Sequence, residues 1–279
     1  MIVSMLLGII IYMFIAMFSG MVMSSVIEEK SSRVVEVLVS SVKATELMFG
    51  KIIGVALVAL TQFFMWIVLT GLLVSVFGGI VGMDKISAGT GSADAVMSSL
   101  GGESSAVPGV DVGGITDSLA ASAQEADNPV AAILSTLAGL DYGEIIISFV
   151  IFFIFGYLLY ASLFAAIGSA VENEADTQQL QIPVTIPLLI GFFIAIYAFK
   201  APDSTLVFWG SMIPFTSPIV MLARIPFGVP SWQLVLSIVI LIVTFVVCAW
   251  GSAKIYKVGI LMFGKKSSFK DLWKWLKQK

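Results

Sequence analysis

Residues 27–51 read IEEKSSRVVEVLVSSVKATELMFGK and form the densest mixed-charge stretch between two long apolar runs of this chain. Acidic and basic side chains are interspersed along it: Glu28, Glu29, Lys30, Arg33, Glu36, Lys43, Glu46 and Lys51. The apolar runs on both sides are long enough to cross a bilayer, which takes about 20 residues as a helix. The stretch must therefore surface at one membrane face and turn back.

The composition of the whole chain agrees with that interpretation. Its 279 residues are 58% hydrophobic and only 12% charged, with a mean hydropathy of +1.03, whereas soluble proteins carry about 25% charged residues. The apolar runs are long and continuous rather than alternating, so we predict an all-α integral membrane protein with five transmembrane helices. There is no His and a single Cys, Cys248, which excludes a disulfide and a Cys–His pair. We predict no metal, no cofactor and no nucleic-acid partner.

Five runs are predicted to span the membrane, and two shorter ones are not. The spans cover residues 1–26, 46–77, 145–171, 182–199 and 232–253. Pro183 and Pro187 should bend or loosen the start of the fourth span. Residues 206–213 and 217–222 are each too short to cross and are separated by prolines, which predicts an outer re-entrant helical segment over 206–230.

Residues 31–43 are predicted to form a short helix along the membrane interface. Its valines fill one broad arc, and Arg33, Glu36 and Lys43 fill the other. Ser31 or Ser32 is expected to cap its start and Thr45 to cap the second span. The valines themselves favour a strand, which weakens the helix prediction.

The chain divides into four predicted regions. Residues 1–77 hold the first two spans and the helix over 31–43. Residues 78–144 form a flexible extracytoplasmic loop, because 78–128 contain ten glycines and eight serines; within the loop, 129–141 are expected to form a short amphipathic helix. Residues 145–254 hold spans three to five, and 255–279 form a basic amphipathic tail on an anionic leaflet.

The basic residues predict the orientation. Lys and Arg concentrate in residues 30–51 and in the tail, so both should be cytoplasmic, including the C-terminus. Alternating the spans then places Met1 outside. Five spans with an outer start and no signal peptide are unusual, so we expect the natural protein to begin earlier with at least one more span.

The sequence excludes several activities. Residues 259–266, GILMFGKK, nearly match a phosphate-binding loop, but Lys266 stands where Ser or Thr should hold magnesium, and we regard the match as chance. The chain is therefore predicted not to be an enzyme. Its spans are nearly free of charge, which disfavours a carrier coupled to protons or sodium. Polar span residues Thr61, Gln62, Tyr157 and Tyr160 are candidates for a transport pathway, although helix packing explains them equally well.

Two blocks of sequence resemble a known family. Residues 28–43, EEKSSRVVEVLVSSVK, with 47–51, LMFGK, are similar to the cytoplasmic signature of bacterial ABC type-2 permeases, and are most similar to the NatB-like, sodium-efflux branch. Residues 172–183, ENEADTQQLQIP, resemble a second block of that family. Ala44 stands where the family pattern has Pro. Members usually carry a further N-terminal span and an extracytoplasmic domain, which matches the expected earlier start.

The resemblance implies a multi-pass subunit of the bacterial inner membrane. Two copies, or one copy and a related permease, would pair with two cytoplasmic ABC ATPases. Residues 31–43 would be the coupling helix, and the candidate docking residues are Glu28, Glu29, Lys30, Arg33, Glu36 and Lys43. Segment 206–230 would close the outer gate. The implied function is ATP-driven efflux of sodium, a drug or another small solute.

Two other functions stay open at the level of the sequence. Residues 27–51 would also suit an ordinary charged turn, because charged cytoplasmic loops are common in membrane proteins. The chain would then be a membrane scaffold or assembly protein without transport activity. A secondary carrier is the third alternative, and the uncharged spans disfavour it.

Overall fold

The computed structural model describes residues 2–81, 142–172, 177–262 and 269–277. Within these ranges every regular element is a helix. The α-helices are α1 (Ile2–Ser31), α2 (Val34–Ser41), α3 (Ala44–Val81), α4 (Tyr142–Ala170), α5 (Thr177–Ala198), α6 (Thr205–Met212), α7 (Ser217–Arg224), α8 (Ser231–Gly259) and α9 (Phe269–Lys277). A 3-10 turn, Ile225–Phe227, follows α7.

Five of these helices, α1, α3, α4, α5 and α8, are long and apolar enough to cross a membrane. The prediction of an all-α protein with five spans is therefore confirmed for the described residues. The short helices α6 and α7 lie close to the predicted residues 206–213 and 217–222. The predicted helix over 129–141 and nearly all of the loop over 78–144 lie outside the described residues.

The chain divides into two compact units. The first contains Met1–Thr61 and Asp141–Lys279, and the second contains Gln62–Leu140. Of the second unit, the structure describes the continuation of α3 to Val81.

Helix α4 is the centre of the first unit. In its most apolar window 56% of residues are buried, against 22% for α5 and for α8. It packs between α1 and α8, and α7 fills the space against α1, α4 and α5. A Cβ placed on Gly168 of α4 would lie 2.9 Å from the carbonyl oxygen of Met23 in α1, so glycine permits this close approach.

The first span ends later than predicted. Helix α1 continues through Glu28, Glu29 and Lys30 to Ser31 instead of ending at Val26. Glu and Lys are good helix formers, and the long Lys30 side chain finds acceptors inside the bundle. The charged stretch therefore begins as the last turns of a spanning helix.

The predicted caps of α2 and α3 were wrong. Ser31 and Ser32 donate their hydroxyls to the carbonyls of Glu28 and Glu29, at 3.0 and 3.2 Å, so they close α1 instead of opening α2. Arg33, with φ +57°, separates the two helices and shortens α2 to Val34–Ser41. Helix α3 already begins at Ala44, which puts Thr45 inside it.

The fourth span begins earlier than predicted. Helix α5 starts at Thr177 rather than at 182, so the glutamine-rich residues before the prolines belong to it. Pro183 and Pro187 lie inside the helix. The fifth span is longer than predicted and runs to Gly259 because helix-compatible residues continue past 253.

Candidate functional site

The six predicted docking residues fall on three different local structures. Glu28, Glu29 and Lys30 lie in the last turns of α1, and Arg33 is the break between α1 and α2. Glu36 is in the first turn of α2, and Lys43 lies between α2 and α3. Four side chains are exposed, namely Glu28, Arg33, Glu36 and Lys43, whereas Glu29 is partly buried and Lys30 is buried.

Helix α2 presents apolar side chains to its surroundings. Val35 is fully buried and anchors the helix to the rest of the chain, but Val34 and Val37 are 47% and 69% exposed. Val42, directly after α2, is 41% exposed. A helix of this size with half its valines uncovered either lies in the membrane interface or binds another protein.

Lys30 joins the ends of three spanning helices. Its ammonium donates hydrogen bonds to the carbonyl of Ser169, at 2.5 Å, and to that of Gly259, at 2.8 Å. Ser169 and Gly259 lie in the last turns of α4 and α8, whose final carbonyls have no partner within their own helices. The positive charge also offsets the partial negative charge at these helix ends.

This arrangement fixes the relative direction of α1, α4 and α8. All three end at Lys30 and therefore run parallel, as alternation of the predicted spans requires. In this conformation Lys30 cannot contact a docked protein as predicted, because only 1% of the residue is exposed. Its sequence neighbours suggested a surface residue, and no local signal distinguishes it from them.

A second polar contact ties α1 to the start of α3. Glu29 forms an ion pair with Lys51, with 2.7 Å between Oε2 and Nζ. The same ammonium donates to the carbonyl of Ser25 at 2.8 Å and lies 3.1 Å from its hydroxyl. Glu29 was predicted to dock a partner and its pairing with Lys51 was not predicted, although both are charged residues at the same membrane face.

Two of the predicted pathway residues make hydrogen bonds between elements. The Tyr157 hydroxyl donates to the carbonyl of Ile52 in α3 at 2.8 Å, and the Tyr160 hydroxyl donates to the carbonyl of Phe215, between α6 and α7, at 2.6 Å. Both tyrosines are buried. These contacts favour the packing interpretation, which the sequence analysis left as equally good.

The other two pathway candidates lie on α3. Thr61 is exposed and donates its hydroxyl to the carbonyl of Leu57 in its own helix, at 2.8 Å. Gln62 is the first residue of the second unit. The pathway role of these two residues stays a prediction.

A polar network that the sequence analysis missed surrounds Arg224 at the end of α7. Its guanidinium donates to the hydroxyl of Ser211 at 2.8 Å and to the side-chain oxygen of Gln233 at 3.2 Å. Ser237 in turn donates to the carbonyl of Ser211 at 2.8 Å. Burial lowers the pKa of Arg224, while the charge of Asp203 acts in the opposite direction. The network fastens α6 and α7 to the start of α8.

Comparison with known proteins shows which family this chain resembles. Residues 1–254 match the sequence pattern described as ABC-2 family transporter protein. The chain is 32% identical over 264 residues to the uncharacterized protein YhaP of Bacillus subtilis, covering 94% of this chain and 52% of the relative. It is 26% identical over 262 residues to the uncharacterized protein MJ1024 of Methanocaldococcus jannaschii, covering 94% and 50%.

The chain thus spans about half the length of the curated relatives it matches. No solved structure matches it. The family pattern extends from the first helix to within a few residues of the end of α8 and so includes all five spans. The chain therefore belongs to the ABC-2 family of transporter proteins.

Proposed function

We propose that this chain is the membrane-spanning part of the permease subunit of an ATP-binding cassette exporter. A separate cytoplasmic ATPase supplies the energy, and it docks on α2 and the exposed charges beside it. Family membership supports the permease assignment. The ends of α1, α4 and α8 and the tail face the cytoplasm, as the basic residues of 30–51 and of the tail favour.

The observation that carries the docking proposal is the uncovered surface of α2. Val34 and Val37 are exposed beside the charged side chains of Arg33 and Glu36. An apolar centre with charged residues at its rim is typical of a protein interface. Contact with a membrane alone explains Glu36 poorly, because anionic lipids would repel this acidic residue in the first turn of α2.

The contacts around α2 offer a route for movement into the bundle. A displaced α2 acts on α1 through the short connection at Arg33. Helix α1 is bound to α3 through Glu29 and Lys51, and to α4 and α8 through Lys30. A push on one short helix would therefore reach the ends of four spanning helices at once, as rigid-body motion of the spans requires.

The experiment measures ATPase docking with variants chosen from the structure. Glu36→Lys reverses an exposed charge, and Val37→Asp places a charge in the apolar centre of the surface. Both should reduce co-purification of the partner ABC ATPase, and both should reduce the stimulation of its ATP hydrolysis. Glu29 is a poor choice because its reversal would also break the ion pair with Lys51.

Two controls separate docking from folding. Arg33→Gly removes the side chain but suits the left-handed backbone at this position, so its effect on association measures the loss of that side chain without a change of backbone strain. Lys200→Glu reverses an exposed charge next to the outer segment and should change neither quantity. Full association and full stimulation with both Glu36→Lys and Val37→Asp would reject docking on α2.

The finer assignment concerns direction, assembly and solute. The complex contains two permease copies, or this permease and a related one, with two ATPases, and it exports sodium as the NatB-like branch does. This proposal is supported by the resemblance of residues 28–43 and 47–51. ATP-dependent uptake of sodium into proteoliposomes tests it, because added ATP reaches only the complexes whose ATPases face outwards, and an exporter in that orientation carries solute into the lumen. Uptake of a drug or peptide without sodium would overturn the sodium assignment and leave the permease assignment intact.

A further inference from the structure

The first unit has an apolar groove between the beginning of α3 and the last third of α8. Thr45 and Phe49 form one wall, and Phe245, Ala249, Trp250 and Ala253 form the other. Its volume is about 370 Å³, within the roughly 300–1,000 Å³ of small-molecule sites. Thr45 is the one polar residue among those named. The groove therefore suits a hydrocarbon chain.

Basic residues lie directly beyond the apolar wall. Trp250, Lys254 and Lys257 follow one stripe of α8, at spacings of four and three residues. The ammonium of Lys254 lies 4.1 Å from the ring centroid of Trp250, so a groove-lining aromatic residue holds it in place. Lys257 is exposed one turn further on. The surface thus changes from apolar to cationic over about 10 Å of helix.

The charges of neighbouring helices leave these lysines available to an outside anion. On α1, Glu29 pairs with Lys51 at 2.7 Å, and on α3, Glu46 pairs with Lys43 at 3.9 Å. Lys254 and Lys257 stand on α8 directly beside the groove, so the mouth of the groove is positively charged.

Helix α9 places this charge at the level of the membrane surface. Leu276 of α9 contacts α8 at Gly251, one residue from the groove wall. Trp273 and Lys274 of α9 are exposed, and exposed Trp and Lys on an amphipathic helix are typical of the boundary between headgroups and acyl chains. The depth of Lys254 and Lys257 then suits contact with a phosphate.

We propose that this groove is a binding site for an anionic phospholipid. One acyl chain lies against Phe49, Phe245 and Trp250, and the headgroup phosphate is bound by Lys254 and Lys257. The acyl chain lies beside the apolar residues of α8, and the phosphate lies beside the basic residues that follow them. A zwitterionic lipid such as phosphatidylcholine also carries a phosphate, but its choline cation cancels most of the attraction to the two lysines, and this difference gives the site its selectivity for net negative charge. The proposal is independent of ATPase docking and of the exported solute.

The test uses quenching of Trp250 fluorescence by brominated lipid. The full-length protein is reconstituted in phosphatidylcholine vesicles that contain either brominated phosphatidylglycerol or brominated phosphatidylcholine. Trp250→Phe, which keeps an aromatic ring beside Lys254, supplies the background of the five other tryptophans. We expect the anionic lipid to occupy the site with a preference of roughly fivefold per lysine.

Lysine variants test the source of the selectivity. Lys254→Gln with Lys257→Gln should remove the preference for phosphatidylglycerol and leave quenching by brominated phosphatidylcholine unchanged. Lys200→Gln, which removes an exposed lysine far from the groove at the other end of the bundle, is the control and should keep the preference. Ala253→Phe fills the groove and should reduce quenching by both lipids. This variant changes the packing, so if it misfolds, the lysine variants still test the proposal.

Two results would overturn the proposal. One is equal quenching by the two lipids in the unaltered protein, which would mean that the groove takes any hydrocarbon chain. The other is occupation by a second copy of the chain. Val246→Cys, made with Cys248→Ser so that it is the sole cysteine, would then form cross-linked dimers across the groove, whether or not phosphatidylglycerol is present.

Discussion

Lys30 and Arg224 are both buried, at 1% and 6% exposure, but their partners differ in kind. Lys30 donates to main-chain carbonyls at the ends of α4 and α8, whereas Arg224 donates to the side chains of Ser211 and Gln233. Gln233 and Gly259 stand near the two ends of α8, about 39 Å apart along the helix axis. The two cations therefore act at opposite ends of the same helix.

The difference bears on how each end resists mutation. Main-chain carbonyls are present whatever the sequence, so the contacts at the Lys30 end depend on one side chain. At the Arg224 end the contacts are spread over several side chains, and Ser237 adds a further hydrogen bond to Ser211. A single substitution at Lys30 should therefore separate the helix ends that meet there. At the Arg224 end, each single substitution should cost only a small part of the stability.

The largest effect is expected for Lys30→Met. It removes two hydrogen bonds from a buried ammonium, each worth about 1.5–3 kcal/mol as a bond to a charged group, and leaves the Gly259 carbonyl with only the backbone N–H of Met262 as a donor, at 3.2 Å. We expect the free energy of unfolding to fall by about 3 kcal/mol or more, measured by SDS titration in mixed micelles. Lys43→Met is the control, because that side chain is 83% exposed. Equal stability of the two variants would show that Lys30 does not hold the helix ends together.

The next effect tests the close approach that Lys30 needs. An added Cβ at Gly259 would lie 2.8 Å from the Ser169 hydroxyl and 3.0 Å from its carbonyl oxygen. Gly259→Ala should therefore separate α4 from α8 and cost about 1–3 kcal/mol. Gly54→Ala, where nothing lies within 4 Å, should be neutral or slightly stabilising.

Combining the two changes sharpens this prediction. Gly259→Ala should cost less in a Lys30→Met background than alone, because the contacts it disturbs are already absent. Strict additivity of the two losses of stability would mean that the glycine contact and the lysine contact are independent.

At the Arg224 end single changes should be milder. Ser211→Ala should cost about 1 kcal/mol, since Arg224 keeps Gln233 as an acceptor. Ser211→Ala with Gln233→Leu should cost more than the sum of the two, because the pair together leaves a buried charge without these acceptors. Thr205→Ala, an exposed change on the same helix as Ser211, is the control. A loss from Ser211→Ala as large as that from Lys30→Met would remove the distinction between the two ends.

The sequence predicted the elements better than it predicted their contacts. Five spans and the pair of short helices follow from apolar length and from the prolines, which are local properties. The burial of Lys30 is not local. It depends on carbonyls that lie 139 and 229 residues further along the chain, so its neighbours Glu28 and Glu29 suggested a surface position.

Arg224 was missed for a related reason. It lies within the predicted segment over 206–230, and its acceptors Ser211 and Gln233 are uncharged residues that carry no sequence signal of pairing. The αL backbone of Arg33 was also beyond prediction, because Arg is not a residue that favours positive φ. Contacts between helices, unlike the helices themselves, were set by tertiary packing.

The smallest effects concern the two tyrosines predicted to line a pathway. Tyr160→Phe should cost more than Tyr157→Phe, within the roughly 0.6–1.7 kcal/mol measured for hydrogen bonds between membrane helices. Phe215, the acceptor for Tyr160, lies between α6 and α7 and has no regular helical bond. Ile52, the acceptor for Tyr157, lies inside α3, so its carbonyl keeps the hydrogen bond of its own helix.

The same pair of variants distinguishes packing from transport. If the hydroxyls serve packing, each Phe variant loses stability in SDS titration, and Tyr160→Phe loses more. Transport by the reconstituted complex should then fall no further than the stability does. If either variant changes the solute preference without losing stability, the result would favour a role for both tyrosines in the transport pathway. Tyr160 donates to the connection between α6 and α7. That result would therefore mean that the region around Arg224 lines the transport pathway as well as holding α6 and α7 against α8.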